Sequence, residues 1–159
     1  MPEDNQTEHP VTDKNITIVS IMVFCFALYR LILVEGLPTA ISKSIFHSGP
    51  QFIFYFVNFL LPFVAITLFW RIKKTGWILI AFYVIYSLSV NLILLSGEAI
   101  RSYYAAEKAV FHGFFLLLCA LYGFVAYLLF KKSMRNSFNI SSLLIFMVCA
   151  ISIVFASVL

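Results

Sequence analysis

Charge is the property that this sequence has least of. Only 11% of its 159 residues are charged, whereas 62% are hydrophobic and the mean hydropathy is +0.99. A soluble globular domain has about 25% charged residues and about 45–50% apolar ones. With so few polar side chains, the chain cannot form the polar surface of a water-soluble globular domain. We therefore expect an integral membrane protein with almost no domain outside the bilayer.

Residue patterns of catalytic and metal sites are also missing. The sequence contains no H-E-x-x-H, G-x-S-x-G or paired-aspartate pattern, and its three histidines are scattered. Cys25, Cys119 and Cys149 lie inside apolar runs and form no C-x-x-C pair, so we interpret them as small hydrophobic side chains. We therefore expect no metal and no cofactor.

Five long apolar runs predict an all-α bundle of about five transmembrane helices. Each run has about 20 residues, which is the length that a helix needs to cross a ~30 Å hydrocarbon core. The runs cover residues 16–34, 52–70, 77–96, 109–130 and 140–159. Residues 1–15 are polar and are predicted to form a disordered cytoplasmic tail, whereas 16–159 form one helical bundle. Between the first two runs, residues 37–45 have the spacing of a short amphipathic helix on the outer surface.

Basic residues concentrate in short loops between the runs, which indicates topology rather than a nucleic-acid partner. The turn "RIKKTG" follows the second run and the loop "KKSMRNSFN" follows the fourth, and Trp70 and Trp77 flank the turn. We expect both tryptophans at the level of the lipid headgroups and both basic loops in the cytoplasm. This topology places the N-terminus inside and the C-terminus outside, in a plasma (inner) membrane.

Arg30 interrupts the first apolar run close to its outer end. Asn58, Asn91 and His112 lie at a similar depth in three other runs, and Glu98 lies just above them. Arg30 alone could reach the headgroups, but polar groups that avoid hydrocarbon are expected to turn inward and meet. We therefore predict an outward-facing polar cluster of these five residues. The sequence leaves open whether the cluster binds a ligand or only holds the helices together.

The spacing of polar and small residues predicts which helix faces turn inward. Asn58 and Pro62 share a face of the second run, and Tyr83, Ser87 and Asn91 share a face of the third. Pro62 could also mark a kink. The predicted inward face of the fourth run consists of His112, Leu116, Cys119, Gly123 and Tyr127. Cys119 and Gly123 in this face form a small-x-x-x-small pattern, which favours close helix approach.

Three functions remain open on the sequence. The first is a non-enzymatic membrane subunit, sensor or assembly component that works through helix contacts with itself or with another membrane protein. The second is a transporter or channel for small solutes or ions, with the polar cluster as its site, which would require a homo-oligomer. The remotest is an intramembrane enzyme that uses His112 with Glu98 or Glu107 and Arg30 as an anion clamp.

Overall fold

The computed structural model describes residues 9–31, 53, 56–96 and 105–158, and nearly all of them are helical. These residues contain no strand, so the predicted all-α class is confirmed for them. The elements in chain order are α1 (His9–Tyr29), a π-helical turn (Phe56–Leu60), α2 (Leu61–Trp70), α3 (Lys74–Ser96), α4 (Ala105–Phe130), α5 (Lys132–Ser137) and α6 (Ser142–Val158). The predicted amphipathic helix at 37–45 lies outside the described residues.

The first helix begins inside the segment that the sequence predicts as a disordered tail. Residues 9–15 belong to α1, which continues without a break into the first apolar run. Polar residues such as Thr12 and Lys14 cost a helix only a few tenths of a kcal/mol, roughly, so they do not end it. The predicted boundary at residue 16 therefore marks the onset of hydrophobicity and not the start of the helix.

Two helical segments are long and apolar enough to cross a membrane, judged by length and composition. They are Lys74–Ser96, with 23 residues, and His112–Phe130, with 19 residues, and each has a mean hydropathy of 2.3. Shorter apolar helices cover Lys14–Tyr29, Phe56–Trp70 and Ser142–Val158. Each of the five apolar runs therefore contains one apolar helix.

The other helices pack around α3. This helix contacts α2, α4 and α6, while α1 packs against α2 and α4. Trp77, Ile80, Tyr83 and Val84 of α3 are completely buried. A helix that is covered by neighbours on several sides must be apolar nearly all round, and the sequence of α3 meets this requirement.

A tight turn joins α2 to α3 and fixes how closely they pack. Ile72 in this turn has a φ of 50°, and the amide of Lys73 donates to the carbonyl oxygen of Leu68 at 3.2 Å. A Cβ at Gly76 would collide with the backbone of Leu68 and Phe69. Glycine is therefore required at position 76 because the two helix backbones touch there.

The two tryptophans beside the turn occupy different environments. Trp70 is 59% exposed, whereas Trp77 is 0% exposed. That both lie at the level of the lipid headgroups stays a prediction. The indole Nε1 of Trp77 donates to the backbone carbonyl of Leu129 at 3.3 Å, and its ring meets Phe130 edge-on. The carbonyl lies in the last turn of α4, where it has no intrahelical donor. Trp77 therefore joins α3 to the end of α4.

The predicted inward face of α4 was wrong. Leu116 and Tyr127 are strongly exposed, and a Cβ at Gly123 would meet nothing within 4 Å. The buried face consists instead of Tyr122, Val125, Ala126, Leu128 and Leu129. Burying these larger side chains removes more area from solvent than burying a stripe of small residues would. Cys119 and Gly123 are consequently only half-buried, at the edge of this face.

Candidate functional site

A cavity of about 250 Å³ lies between the end of α1, the π-helical turn, α3 and α4. Its polar lining comprises Arg30, Asn58, Asn91, Tyr29, Tyr86 and Tyr122. These side chains come from four separate segments of the chain. The cavity therefore depends on the tertiary packing and not on any single helix.

Arg30, Asn58 and Tyr86 form a chain of hydrogen bonds along one side of the cavity. The Arg30 guanidinium donates through a terminal nitrogen to the Asn58 Oδ1 atom. The Asn58 Nδ2 atom donates to the Tyr86 hydroxyl oxygen at 3.3 Å. Asn58 and Tyr86 are both buried, whereas Arg30 is half-buried. The side chain of Asn58 thereby holds the guanidinium at the cavity wall.

Proline explains why the chain around Asn58 is π-helical. Pro62 lacks the backbone N–H that would bond to the carbonyl of Asn58 in an α-helix, and its ring collides with that carbonyl. The helix widens to a π turn over Phe56–Leu60 and becomes α-helical from Leu61 onward. Single π turns inside helices occur often at functional sites. Arg30 itself lies in a second π-helical segment, at residues 30–31.

Several aromatic rings lie in the region of the cavity next to Arg30. The Arg30 Cζ atom lies 6.0 Å from the centroid of the Tyr83 ring, at the outer limit of a cation–π contact. Tyr122 is buried and its ring lies 4.2 Å from that of Phe26. The ring of Tyr29 lies 5.7 Å from that of Phe114. Packing of these rings restricts the directions in which the arginine side chain can move.

Two hydroxyl groups next to the cavity lining are buried without a partner. The hydroxyls of Tyr83 and Ser87 accept and donate no hydrogen bond within the described part of the chain. One turn further on, the Asn91 Nδ2 atom donates to the backbone carbonyl of Ser87 at 2.7 Å. Polar groups thus follow one face of α3 toward the cavity, and only some of them are satisfied.

Acidic side chains are absent from the part of the molecule whose side chains the structure describes. Residues 14–31, 53, 56–96 and 112–158 include no aspartate and no glutamate. Within these ranges, the polar contacts of Arg30 are with an amide and with aromatic rings. The described wall of the cavity therefore carries a positive charge.

The structure brings together three of the five residues of the predicted cluster. Arg30, Asn58 and Asn91 line the cavity. His112 is half-buried on α4 and is not among the described lining residues. Glu98 lies outside the described residues. That the cluster serves as a binding site stays a prediction.

Sequence reasoning missed the tyrosines of the lining. Tyr86 and Tyr122 lie in the apolar runs, where tyrosine is hard to distinguish from other aromatic residues. A signal for Tyr86 was nevertheless present. It lies 28 residues after Asn58, in the next helix of a tight helical hairpin, and the hairpin turn lies about midway between them. Such pairs meet across antiparallel helices.

Comparison with protein-family models, with curated proteins and with solved structures gave no match for this chain.

Proposed function

We propose that this protein is a multi-span integral membrane protein without catalytic activity, which binds a small anion in the cavity beside Arg30 and acts as a sensor or subunit. One observation carries the proposal: the guanidinium of Arg30 lines a cavity and is held there by Asn58. The absence of acidic side chains from the described wall supports it.

The size of the cavity favours binding over a purely structural role. Protein interiors are close-packed, and empty space costs stability. A void of about 150 Å³ is enough to admit benzene. The cavity beside Arg30 is about 250 Å³. A polar cluster that served only to hold helices together would be expected to fill this space with side chains.

The chemistry of the guanidinium favours an anion as the ligand. Arginine has five N–H donors in a planar fork that matches a carboxylate or phosphate group. Only one of its nitrogens donates to Asn58. Among the described residues, Asn58 and Tyr122 are its hydrogen-bond partners, and a fork of five donors exceeds what these two groups accept. Hydrogen bonds between ionised partners are also about twice as strong as neutral ones.

Ligand-induced stabilisation of the full chain in phosphatidylcholine nanodiscs tests the proposal. Acetate, benzoate and octanoate are added separately while the unfolding temperature is measured, because a ligand that binds only the native state raises it. We expect at least one of these anions to raise the unfolding temperature of the wild type. The rise should vanish in Arg30→Gln and shrink in Arg30→Lys, since an ammonium group lacks the planar fork.

Arg71→Gln is the matched control. Arg71 is exposed at the opposite end of the bundle, beside the basic turn, and its loss should leave the response unchanged. Glu35→Gln and Glu98→Gln test whether a carboxylate of the chain itself occupies the site. A response that appears only in those two variants, or that survives Arg30→Gln, would contradict the proposal.

Membrane insertion is supported by the surface of the molecule. Large apolar side chains are exposed on several helices, and Phe146 of α6 reaches 71% exposure. Soluble monomers seldom leave extensive apolar surface in water. We propose that lipid, or a second membrane protein such as another copy of this chain, covers this surface. The five apolar helices would then span a plasma (inner) membrane, with the N-terminus inside and the C-terminus outside.

Cysteine labelling tests this topology. In a variant whose three native cysteines are replaced by alanine, single cysteines are placed at Thr75 and Ser102. A membrane-impermeant thiol reagent should modify position 102 on intact cells and position 75 only after permeabilisation. The reverse pattern would invert the topology, and modification of both positions on intact cells would contradict the five-span arrangement.

Transport is a second candidate because of the π-helical turn next to the site. Many transporters bind their substrates where a membrane helix is interrupted. The interruption at Phe56–Leu60 carries Asn58, which lies in the cavity wall. Uptake of a labelled anion that stabilises the protein, measured in proteoliposomes, separates the two functions. A sensor binds the anion without moving it across the bilayer.

A further inference from the structure

We infer that the ligand is a small organic carboxylate with a compact apolar body, bound with its carboxylate at Arg30 and its body directed toward the Ser96 end of α3. The inference rests on the proposed function, namely that Arg30 binds an anion. It adds the orientation of the ligand, its size and the need for an apolar body.

The polar end of the cavity is its deepest part. Tyr86 and Tyr122 are each 1% exposed, and Tyr86 ends the hydrogen-bond chain that begins at Arg30. The hydroxyl of Tyr83 is buried without a partner within the described residues, and the centroid of its ring lies 6.0 Å from the Arg30 Cζ atom. An anionic group that reaches this region exchanges its hydrogen bonds to water for hydrogen bonds from these side chains. The charged end of a ligand therefore belongs at the buried end of the cavity.

A stripe on α3 connects this buried end to the outside. Tyr86, Val90 and Leu94 follow each other at i, i+4 and i+8, so they lie on one face of the helix, and all three line the cavity. Tyr86 is buried, Val90 is half-buried and Leu94 is 39% exposed. Exposure thus increases along these three positions from the tyrosine toward the Ser96 end. Val90 and Leu94 are apolar, whereas Asn91 beside them adds a buried amide to the wall.

A matching stripe runs along α4, which packs against α3. Tyr122, Leu118 and Phe115 line the same cavity, and they share a face because they are spaced by four and three residues. Tyr122 is buried, whereas Leu118 and Phe115 are half-buried. Both helices therefore present a tyrosine at the closed end and mainly apolar side chains toward the open end, with Asn91 as the polar exception on α3. A ligand that fits this pattern is polar at its leading end and apolar behind it.

The dimensions of the cavity limit the size of the apolar body. From Tyr86 to Leu94 the helix rises about 12 Å, which is on the order of eight bonded carbons. Drug-sized ligands occupy pockets of about 300–1,000 Å³, and the volume here is about 250 Å³. The cavity fits a medium-chain or aryl carboxylate and is too small for the two acyl chains of a phospholipid.

A ligand series in phosphatidylcholine nanodiscs tests the inference, with empty nanodiscs used to correct for partitioning. The probes are acetate, hexanoate, octanoate, dodecanoate and the neutral alcohol octanol, and the apparent Kd of each comes from the dependence of unfolding temperature on concentration. We expect octanoate to bind at least tenfold more tightly than acetate. From hexanoate to octanoate, affinity should rise by about fourfold per buried methylene. It should level off before dodecanoate.

Two pairs of variants test whether the apolar body of the ligand lies along the cavity-lining residues of α3 and α4. Val90→Phe narrows the cavity from α3 and Leu118→Phe narrows it from α4, and each keeps Arg30 intact. Both should weaken octanoate at least tenfold while acetate still binds. Leu92→Phe and Leu117→Phe are the controls, because these two side chains are exposed and are not among the described lining residues. The unfolding temperature without ligand identifies a variant that has lost its fold. If one variant is lost in this way, the other variant and its control still test the inference.

The possible outcomes separate the inference from the proposed function. If acetate binds as tightly as octanoate, the apolar body is irrelevant and the inference is overturned, but Arg30 remains an anion site. If affinity keeps rising to dodecanoate, or if added phosphatidylglycerol in the nanodisc competes with octanoate, the ligand is a lipid and the size limit is wrong. If octanol binds as tightly as octanoate, or if no probe binds, the proposed function itself fails.

Discussion

Both halves of α3 contain buried side chains, but the surroundings of these side chains differ. In the first half, Trp77 lies against Phe130 and places its indole N–H on the carbonyl of Leu129. In the second half, the hydroxyls of Tyr83 and Ser87 have no partner within the described residues, and Asn91 borders a cavity. One half is densely packed with its polar group satisfied, whereas the other half combines polar groups with empty space.

This difference separates the densely packed part of the molecule from the part where we propose that an anion binds. Near the basic turn, the rings of Phe69 and Phe138 stack at 4.8 Å and hold α2 against the segment after α5. Beside Arg30, the described side chains leave a cavity of about 250 Å³. Functional sites commonly give up packing and polar satisfaction that the rest of the fold retains. We therefore expect substitutions in the two halves to differ in both size and sign.

The largest effect is expected for Trp77→Ala in the packed half. The substitution removes a completely buried ring and leaves the Leu129 carbonyl without its donor. Removing a buried Trp or Phe typically costs about 3–5 kcal/mol. Thermal unfolding in detergent measures the loss. Trp70→Ala, at an exposed position, should stay within about 0.5 kcal/mol of the wild type. Equal effects for the two variants would contradict the buried position of Trp77.

A smaller loss is expected for Gly76→Ala, which tests the contact between the backbones of α2 and α3. The new methyl group would meet the backbone of Leu68 and Phe69, so the helices must separate. Overpacking of this kind costs about 1–3 kcal/mol. Gly123→Ala is the matched control, because its methyl group meets nothing within 4 Å. Alanine there should stabilise α4 by up to about 1 kcal/mol. Chemical denaturation of both variants gives the comparison.

In the half beside the cavity, coupling between residues is more informative than single losses. Asn58→Leu and Tyr86→Phe remove opposite ends of one hydrogen bond, so a double-mutant cycle should give a coupling of about 0.5–1.5 kcal/mol. Asn91→Leu should couple more weakly to Asn58→Leu, because the Asn91 amide bonds to its own helix at Ser87. Additivity of Asn58→Leu with Tyr86→Phe would show that the hydrogen-bond chain contributes nothing to stability.

The smallest effect, and one of opposite sign, is expected for Tyr83→Phe. Its hydroxyl is buried without a partner, and such a group costs stability that phenylalanine does not. The substitution should raise the free energy of unfolding by up to about 1 kcal/mol. Tyr86→Phe should lower it, because the Tyr86 hydroxyl accepts a hydrogen bond from Asn58. Destabilisation by Tyr83→Phe would mean that the hydroxyl has found a partner.

Hydrophobic patterning was sufficient to predict the helices but not their rotation. The lengths of the apolar runs predicted where each of the five apolar helices lies, and Tyr83, Ser87 and Asn91 do turn inward. For α4 the prediction failed because its sequence is apolar all round. A run of this kind contains no polar stripe that predicts which face is buried. The sizes of the side chains that pack against the neighbouring helices determine the buried face instead. The burial of Trp77 was not predicted, because a tryptophan next to lysines is typical of a membrane interface and only the tertiary structure reveals the acceptor at Leu129.

Part of the site followed from the sequence because charge and amide groups are rare in apolar runs. Arg30, Asn58 and Asn91 stood out for that reason, and the structure brings all three to one cavity. The cavity itself was not predictable, because empty space is a property of how helices pack and leaves no trace in residue spacing. The contribution of Pro62 was only partly foreseen. The sequence indicates a kink at Pro62, whereas the structure has a π turn with Asn58 at its centre.

That π turn also determines how the chain tolerates changes in its length. A π turn closes i→i+5 and so accommodates one residue more than the corresponding α-helical stretch. If Phe59 were deleted, the turn would lose its extra residue, and the contacts of α2 with α3 would keep their register. Pro62 would still lack its N–H, so the hydrogen bond to the residue four positions before it would remain absent. Asn58 and the side chains before it would rotate by about 100° relative to α2. Deleting this single residue would therefore leave α2 packed on α3 and turn Asn58 away from Arg30.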